Sequence, residues 1–345
     1  MHAIILAGGT GKRLWPLSQQ SFPKQFLNVG ASISLLQKTV KRFCRAGLHD
    51  HIVISTHSKL QNLVQTQLEK IAFAWQGRLI VEPTSKNTAP AIALSLKYLI
   101  DKKGAHESDI CIVCPVDLHF DDENKWISLL TLAQSEAKKG LIVTFGIQPT
   151  KVETGYGYIR VHKESSNRVL QATQFIEKPD KHHAKMLIEE GKVYWNSGIF
   201  VFQIRTLLQA FKRHLPEIFN WFQQSYSLCL QHFDQLPHIS IDHGIMQQQS
   251  DLAVIPYDGG WSDIGSWDRM YEMLPKDDQN NVVTGKATPI KVKRSLLHST
   301  NKPLIAIGLD DIIMIETPEY IFATRRGLGD DLHSLIENAQ DALSK

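Results

Sequence analysis

The chain has 345 residues, 43% hydrophobic and 21% charged, an ordinary globular make-up that excludes disordered, collagenous and fibrous proteins. Its 38 lysines and arginines against 35 aspartates and glutamates leave a formal charge of +3, too near balance to predict a nucleic-acid or membrane partner. Cys44, Cys111, Cys114 and Cys229 are too few for a disulfide framework and point to a reducing, cytoplasmic setting.

The apolar run at residues 3–7 is too short for a signal peptide or a bilayer span and reads as a first strand. Strand-like runs rich in Ile and Val follow at 51–55, 78–81, 110–114 and 142–147, with helix-period segments at 35–46, 59–71, 89–102 and 125–139. This alternation predicts an α/β domain, a mainly parallel sheet flanked by helices. Gly47 is a stop signal for the first helix, and Thr88-Ala89-Pro90 opens the third with a capping hydroxyl and a first-turn proline. Cys111 and Cys114 sit three apart in a strand, on opposite faces, and are expected as core cysteines and not a redox or zinc pair. Alternating segments at 158–162 and 169–176 read as an inserted hairpin or sheet extension, and Trp195-Asn196-Ser197-Gly198 as a turn before a strand at 199–202. Helices at 184–190, 205–213, 217–230 and 243–248 and a strand at 252–256 belong to a first domain placed at residues 1–280. Short β-like pieces at 282–284, 290–292, 304–307 and 312–315, then a helix at 332–343, make a small β-rich C-terminal module, residues 281–345.

The strongest local signal follows the first strand, Leu6-Ala7-Gly8-Gly9-Thr10-Gly11-Lys12-Arg13. Glycines after a buried strand let backbone N–H groups approach phosphate oxygens, and Lys12 and Arg13 add positive charge there. The spacing fits neither a P-loop, because Arg13 follows Gly11-Lys12, nor a dinucleotide fingerprint, because position 14 is leucine. A glycine-rich turn without a ligand is the plain alternative. Asp117 follows a predicted parallel strand, the edge where open α/β sheets place ligands, although a lone aspartate there also serves as a turn or cap residue. Glu177-Lys178 taken alone reads as a surface ion pair. His182-His183 opens a polar, solvated helix, and the 15 histidines show no His-Glu-x-x-His spacing. No Gly-x-Ser-x-Gly elbow surrounds Ser240, and Asp242 is expected to cap the following helix. Residues 226–238 lack the basic clustering of a nucleic-acid footprint.

Taken together, LAGGTGKRLWPLS, FPKQFL, VEPTSKNTAPAIAL, TFGIQPTKVETGYGYI, FIEKPD, YWNSGIF and GGWSDIGSW, spread from Leu6 to Trp267, resemble the sugar-1-phosphate nucleotidyltransferases. The resemblance is greatest to the bacterial mannose-1-phosphate guanylyltransferases. It implies the Rossmann-like mixed sheet of the nucleotide-diphospho-sugar transferase fold, and a reaction of GTP with mannose 1-phosphate that yields GDP-mannose and diphosphate. It further implies that Leu6, Ala7, Gly8, Gly9, Thr10, Gly11 and Arg13 hold the nucleotide, with Lys24 helping on phosphate. Glu82, Asn87 and Thr88 would line the guanine and ribose, and Gly157, Glu177, Lys178 and Asn196 would grip the sugar phosphate. Arg13, Lys24 and Lys178 would be the catalytic cations, and Asp117 and Asp263 the ligands of Mg2+. Magnesium suits this arrangement, since it binds through one or two carboxylates plus substrate phosphates.

The chain departs from the family pattern at Lys12, Leu118 and Gln247, where the family commonly has threonine, histidine and glutamate. Rival expectations are the same chemistry with another nucleoside triphosphate or hexose 1-phosphate, and a silent nucleotide-sugar sensor, which Leu118 and Gln247 would support. Some family members carry a cupin-type isomerase domain; this length leaves no room for one, so no isomerase activity is expected. A second copy of the chain is a candidate partner through the β-rich module.

Overall fold

The computed structural model describes residues 1–9, 14–19, 21–28, 32–162, 168–249, 251–328, 332, 334–336 and 338–339. Its strands are β1 (His2–Leu6), β2 (Ile52–His57), β3 (Leu79–Glu82), β4 (Ile110–Pro115), β5 (His119–Phe120), β6 (Ile142–Ile147), β7 (Tyr158–Val161), β8 (Leu170–Ile176), β9 (Val193–Gln203), β10 (Leu252–Tyr257), β11 (Trp261–Ser262), β12 (Val282–Ile290), β13 (Leu296–Ile307), β14 (Ile312–Glu316) and β15 (Ile321–Arg325). The α-helices are α1 (Leu35–Arg45), α2 (Gln61–Glu69), α3 (Thr88–Lys103), α4 (Glu123–Lys138), α5 (Lys181–Glu190), α6 (Ile204–His214), α7 (Pro216–Phe222), α8 (Tyr226–Gln231), α9 (Ile241–Gly244) and α10 (Trp267–Met273). Two compact units result. The first takes Met1–Gly8, Thr39–Val116 and Phe120–Trp261, and the second Gly9–Lys38, Asp117–His119 and Ser262–Lys345.

The first unit is built on a nine-stranded sheet in the order β3-β2-β1-β4-β9-β6-β10-β8-β7. Strands β3, β2, β1 and β4 run parallel, as do β6 and β10, while β9 lies antiparallel between β4 and β6. Strands β4 and β6 are buried along nearly their whole length, which is why they read as unbroken apolar runs. Cys111 and Cys114 are both buried in β4, and burial pushes the Cys111 thiol far up, so the expectation of inert core cysteines holds. The hairpin of β7 and β8 is present, with β8 alternating between buried and exposed residues in its first half. Leu94, Leu96, Phe200, Phe202 and Phe211 belong to one core cluster, each side chain stabilising by roughly 1.5–3 kcal/mol.

Three local expectations are corrected in this unit. The cap of α3 is the Asn87 side chain, which accepts from the Thr88 N–H at 2.8 Å, and not the Thr88 hydroxyl. The helix expected over 217–230 is two, α7 and α8, because Ser225 starts a new one by accepting from the Leu228 N–H. Trp221 Nε1 then donates to the Cys229 carbonyl at 3.0 Å, tying the pair together. The turn expected at 195–198 is strand interior: β9 runs through it, with Gly198 at φ +76° and a register shift opposite Thr144 and Gly146. The turn-forming residues there serve a bulge.

The second unit contains a four-stranded sheet, β12-β13-β14-β15, with β12, β13 and β14 parallel and β15 antiparallel to β14. Its core includes Leu14, Leu27, Trp267, Leu296, Ile313 and Ile315. Strands β12 and β13 are longer than the sequence suggested, and α10 and β15 were not anticipated. Only residues 291–295 join β12 to its parallel neighbour. Nine straight strand residues would run roughly 30 Å, beyond the roughly 20 Å those few residues can span, so the strands must bend to let the chain return. Gly285, at φ +68°, sits at the register shift of this pair, where a Cβ would collide with the Ser299 carbonyl. The described residues between 332 and 339 are helical, within the helix expected at 332–343.

Candidate active site

In the first unit, β1 ends at Leu6, whose carbonyl accepts from the Val116 N–H at 3.1 Å. The Ala7 N–H donates to the Ser55 carbonyl at 2.7 Å and the Ala7 carbonyl accepts from Thr56 Oγ1 at 3.1 Å, so both residues are committed to the sheet. Gly8 lies against Glu82 at the end of β3: a Cβ on Gly8 would come 3.3 Å from Glu82 Oε1. That oxygen accepts from Ser55 Oγ at 2.9 Å. Burial pushes the Glu82 carboxyl up to about 7, against the Ser55 hydrogen bond that favours its charged form. Thr10, Gly11, Lys12 and Arg13 lie outside the described residues. Asn87 holds the left-handed backbone, φ +70°, that opens α3, and Thr88 Oγ1 accepts from the Ile241 N–H at 2.8 Å.

The sugar-phosphate candidates of the same unit gather around β9. The Asn196 N–H donates to the Gly157 carbonyl at 2.8 Å, and Asn196 Oδ1 accepts from the Gly198 N–H at 3.1 Å and from Thr144 Oγ1 at 3.3 Å. Asn196 Nδ2 donates to Asp242 Oδ1 at 2.8 Å. Gly157 is packed so closely that a Cβ would approach Glu177 Oε2 to 2.8 Å and the Phe175 ring to 3.1 Å. Glu177 pairs with Lys178 at 3.2 Å, and Lys178, at φ +44°, keeps a largely exposed ammonium. Asp242 is partly buried, and desolvation followed by the Glu177 charge pushes it up to about 6.

In the second unit, Lys24 joins the two carboxylate candidates. Its Nζ lies 2.7 Å from Asp117 Oδ2 and donates to the Asp263 carbonyl at 2.6 Å, with the Lys24 side chain 9% and Asp117 32% exposed. Pro23, outside the short 3-10 turn Lys24–Phe26, sets the entry of this segment, and Gln25 Nε2 donates to the Gly9 carbonyl at 2.9 Å. Asp263 is held by a tight loop: its Oδ1 accepts from the Gly265 N–H at 3.1 Å, beside Ile264 at φ +49°. Leu118 is buried, and His119 Nδ1 lies 3.0 Å from Lys38 Nζ. Asp117 and the Asp263 main chain already face a cation, Lys24, and every candidate donor is a hard oxygen. That donor set fits magnesium, which prefers oxygen ligands and completes its shell with water and phosphate.

Three participants escaped the sequence reading. Ser55 is an ordinary polar residue in a strand with no local pattern to mark it, and Gln25 lies in the FPKQFL stretch but was assigned no role there. Asp242 carried a signal that was misassigned, because the cap of α9 is Ser240, whose Oγ accepts from the His243 N–H at 3.1 Å. This frees Asp242 for Asn196.

Residues 2–280 match the family model described as nucleotidyl transferase. The chain is 34% identical over 331 residues to the alginate biosynthesis protein AlgA of Pseudomonas putida, covering 92% of this chain and 67% of that one. It is 33% identical over 344 residues to the mannose-1-phosphate guanylyltransferase RfbM of Salmonella typhimurium, covering 97% and 71%. A solved structure from Thermus thermophilus, described as mannose-1-phosphate geranyltransferase, matches with a TM-score of 0.87 at 25% identity, covering 98% of this chain and 99% of that one.

Proposed function

The chain belongs to the nucleotidyl transferase family, and from that premise we propose that it makes GDP-mannose and diphosphate from GTP and α-D-mannose 1-phosphate. A phosphate oxygen of the sugar phosphate attacks the α-phosphorus of GTP in line; the new oxygen–phosphorus bond forms as the bond to the β-phosphate oxygen breaks, and diphosphate leaves. The nucleophile is already an anion, so no strong general base is required. Catalysis is then positioning plus charge stabilisation.

The observation that carries this reading is the Lys24 ammonium set between the Asp117 carboxylate and the Asp263 main-chain carbonyl. Asp117 and Asp263 would hold Mg2+, which when bound supplies positive charge for the α-phosphate and the departing diphosphate. Lys24 and Arg13 would add their charge to the triphosphate, with the main chain of Leu6 to Gly11 beside it. Glu82, Asn87 and Thr88 would face the nucleoside. Glu177 and Asn196, with the main chain at Gly157, would bind mannose, and the exposed Lys178 would take its phosphate. Among the described residues no helix is long and apolar enough to cross a membrane; the proposed setting is the cytoplasm, and the proposed use of the product is polysaccharide assembly. The guanine and mannose preference rests on the relatives' names and the EPTSKNTAP stretch, and a second copy of the chain remains a proposed partner.

The test is diphosphate release by purified protein with Mg2+, GTP and mannose 1-phosphate, beside mixtures lacking sugar or magnesium and mixtures with ATP, UTP, dTTP or glucose 1-phosphate. Release that needs GTP, mannose 1-phosphate and the metal together is expected. Faster release with another pair would move the substrate assignment, and silence with every pair would overturn the reaction.

A further inference from the structure

A primary amide offers two N–H donors and an oxygen with two lone pairs. At Asn196 three of these four are taken. Oδ1 accepts from the Gly198 N–H and Thr144 Oγ1, and Nδ2 donates to Asp242 Oδ1. Both ends of the amide are therefore chemically specified: the Gly198 main-chain N–H can only donate, and an ionised Asp242 can only accept. A flipped amide would set N–H against N–H at one end and oxygen against oxygen at the other. One Nδ2 hydrogen is left, and its direction is dictated by the other three bonds.

Asp242 is itself pinned on both sides. The Ile241 N–H donates to Thr88 Oγ1 at 2.8 Å and the His243 N–H to Ser240 Oγ at 3.1 Å, while the Ile239 carbonyl accepts from the Ala89 N–H at 3.2 Å. Its carboxylate stands near the charges of Glu177 and Lys178, two of the residues read above as sugar-phosphate contacts. We propose that Asp242 is a positioning residue that fixes the Asn196 amide so that one N–H is presented to the sugar end of the substrate. This rests on the reading of Asn196 as a sugar contact. Asp242 acts through Asn196 and touches no reacting atom.

The experiment compares wild type, Asp242→Asn, Asp242→Ala, Asn196→Ala and the Asp242→Ala/Asn196→Ala double variant. Calorimetry gives the affinities for GDP-mannose and for GDP, whose difference isolates the sugar end, and steady-state kinetics give kcat and KM for each substrate. The expected result for the single variants is a loss of roughly 10-fold in GDP-mannose affinity and a rise of roughly 10-fold in the KM for mannose 1-phosphate, with GDP affinity and the KM for GTP within about twofold of wild type. The double variant is expected to match Asn196→Ala within about twofold, because a residue acting only through Asn196 has nothing left to position. Losses that multiply in the double variant, or an equal loss of GDP affinity, overturn the inference while leaving the reaction intact. Wild type that binds GDP-mannose no better than GDP overturns the sugar-site reading and this inference with it. Asp242→Asn, matched in size, gives the same comparison if Asp242→Ala fails to fold.

Discussion

The Asn196 cluster and the Lys24 cluster are both polar groups set beside strands, yet they are stabilised by opposite means. Asn196 is a neutral amide held by fixed partners on β6, β9 and α9, so its geometry comes from three directional hydrogen bonds that fill all but one N–H of its capacity. Lys24 is a charge shared between the partly exposed Asp117 carboxylate and the Asp263 carbonyl, so its geometry comes from an ion pair that water can reach. An amide with three bonds fixed and one N–H left suits recognition of an uncharged hydroxyl, where direction decides. A solvent-accessible ion pair suits a site whose partners are exchanged, as phosphate and metal arrive and leave.

The sharpest way to break this contrast is to neutralise the charged cluster. Asp263→Asn and Asp117→Asn are each expected to lower kcat on the order of 100-fold to 1000-fold, measured by diphosphate release, with folding verified by circular dichroism. Near-normal turnover of Asp117→Asn would reduce the Lys24–Asp117 pair to a structural ion pair, and near-normal turnover of Asp263→Asn would remove Asp263 from the proposed metal ligands.

Glu82 stands between the two extremes, a buried carboxyl with a hydroxyl partner. Its folded value of about 7 lies above the ordinary 4.5, so the native state keeps its proton longer than the unfolded chain does. Stability then falls as pH rises from 4.5 to 7, by about 3 kcal/mol, and the whole cost is present above 7. Glu82→Gln is expected to flatten that slope in denaturant titrations run across the window; an unchanged slope would place the burial cost elsewhere.

Gly157→Ala tests the Asn196 side by crowding Glu177 Oε2 and the Phe175 ring. A rise of roughly 10-fold in the KM for mannose 1-phosphate is expected, with a smaller change in the KM for GTP. The smallest effect belongs to Ser240→Ala, which removes the α9 cap and is expected to cost about 1 kcal/mol in thermal or denaturant unfolding. If it also weakens GDP-mannose binding, the cap contributes to the placement of Asp242.

Much of this could be read in advance. The strands β1, β4 and β6 were legible because burial on both faces leaves each a continuous apolar run, whatever their neighbours. Gly8, Lys24, Glu82, Asp117, Asn196 and Asp263 were singled out as candidates through motifs whose residues stand close together in the chain, and the glycine loop from Thr10 to Arg13 falls outside the described residues. What local pattern could not supply is pairing. Asn196 and Asp242 are 46 positions apart and Lys24 and Asp263 are 239 apart, and neither pair leaves a periodicity to detect. The Asn-Ser-Gly stretch of β9 looked like a turn because those side chains favour turns in isolation; in the fold it is the irregular part of a strand, where Asn196 pairs with Gly146 and donates to the Gly157 carbonyl before the register shift to Phe200. Asp242 was expected as the cap of the following helix, and the fold gave that cap to Ser240 and brought Asn196 within reach of Asp242. The sequence by itself determined which segments are buried and which chemistry is present, because those follow from side-chain type and spacing; tertiary structure decided which polar group meets which, because that depends on strand order across the whole chain.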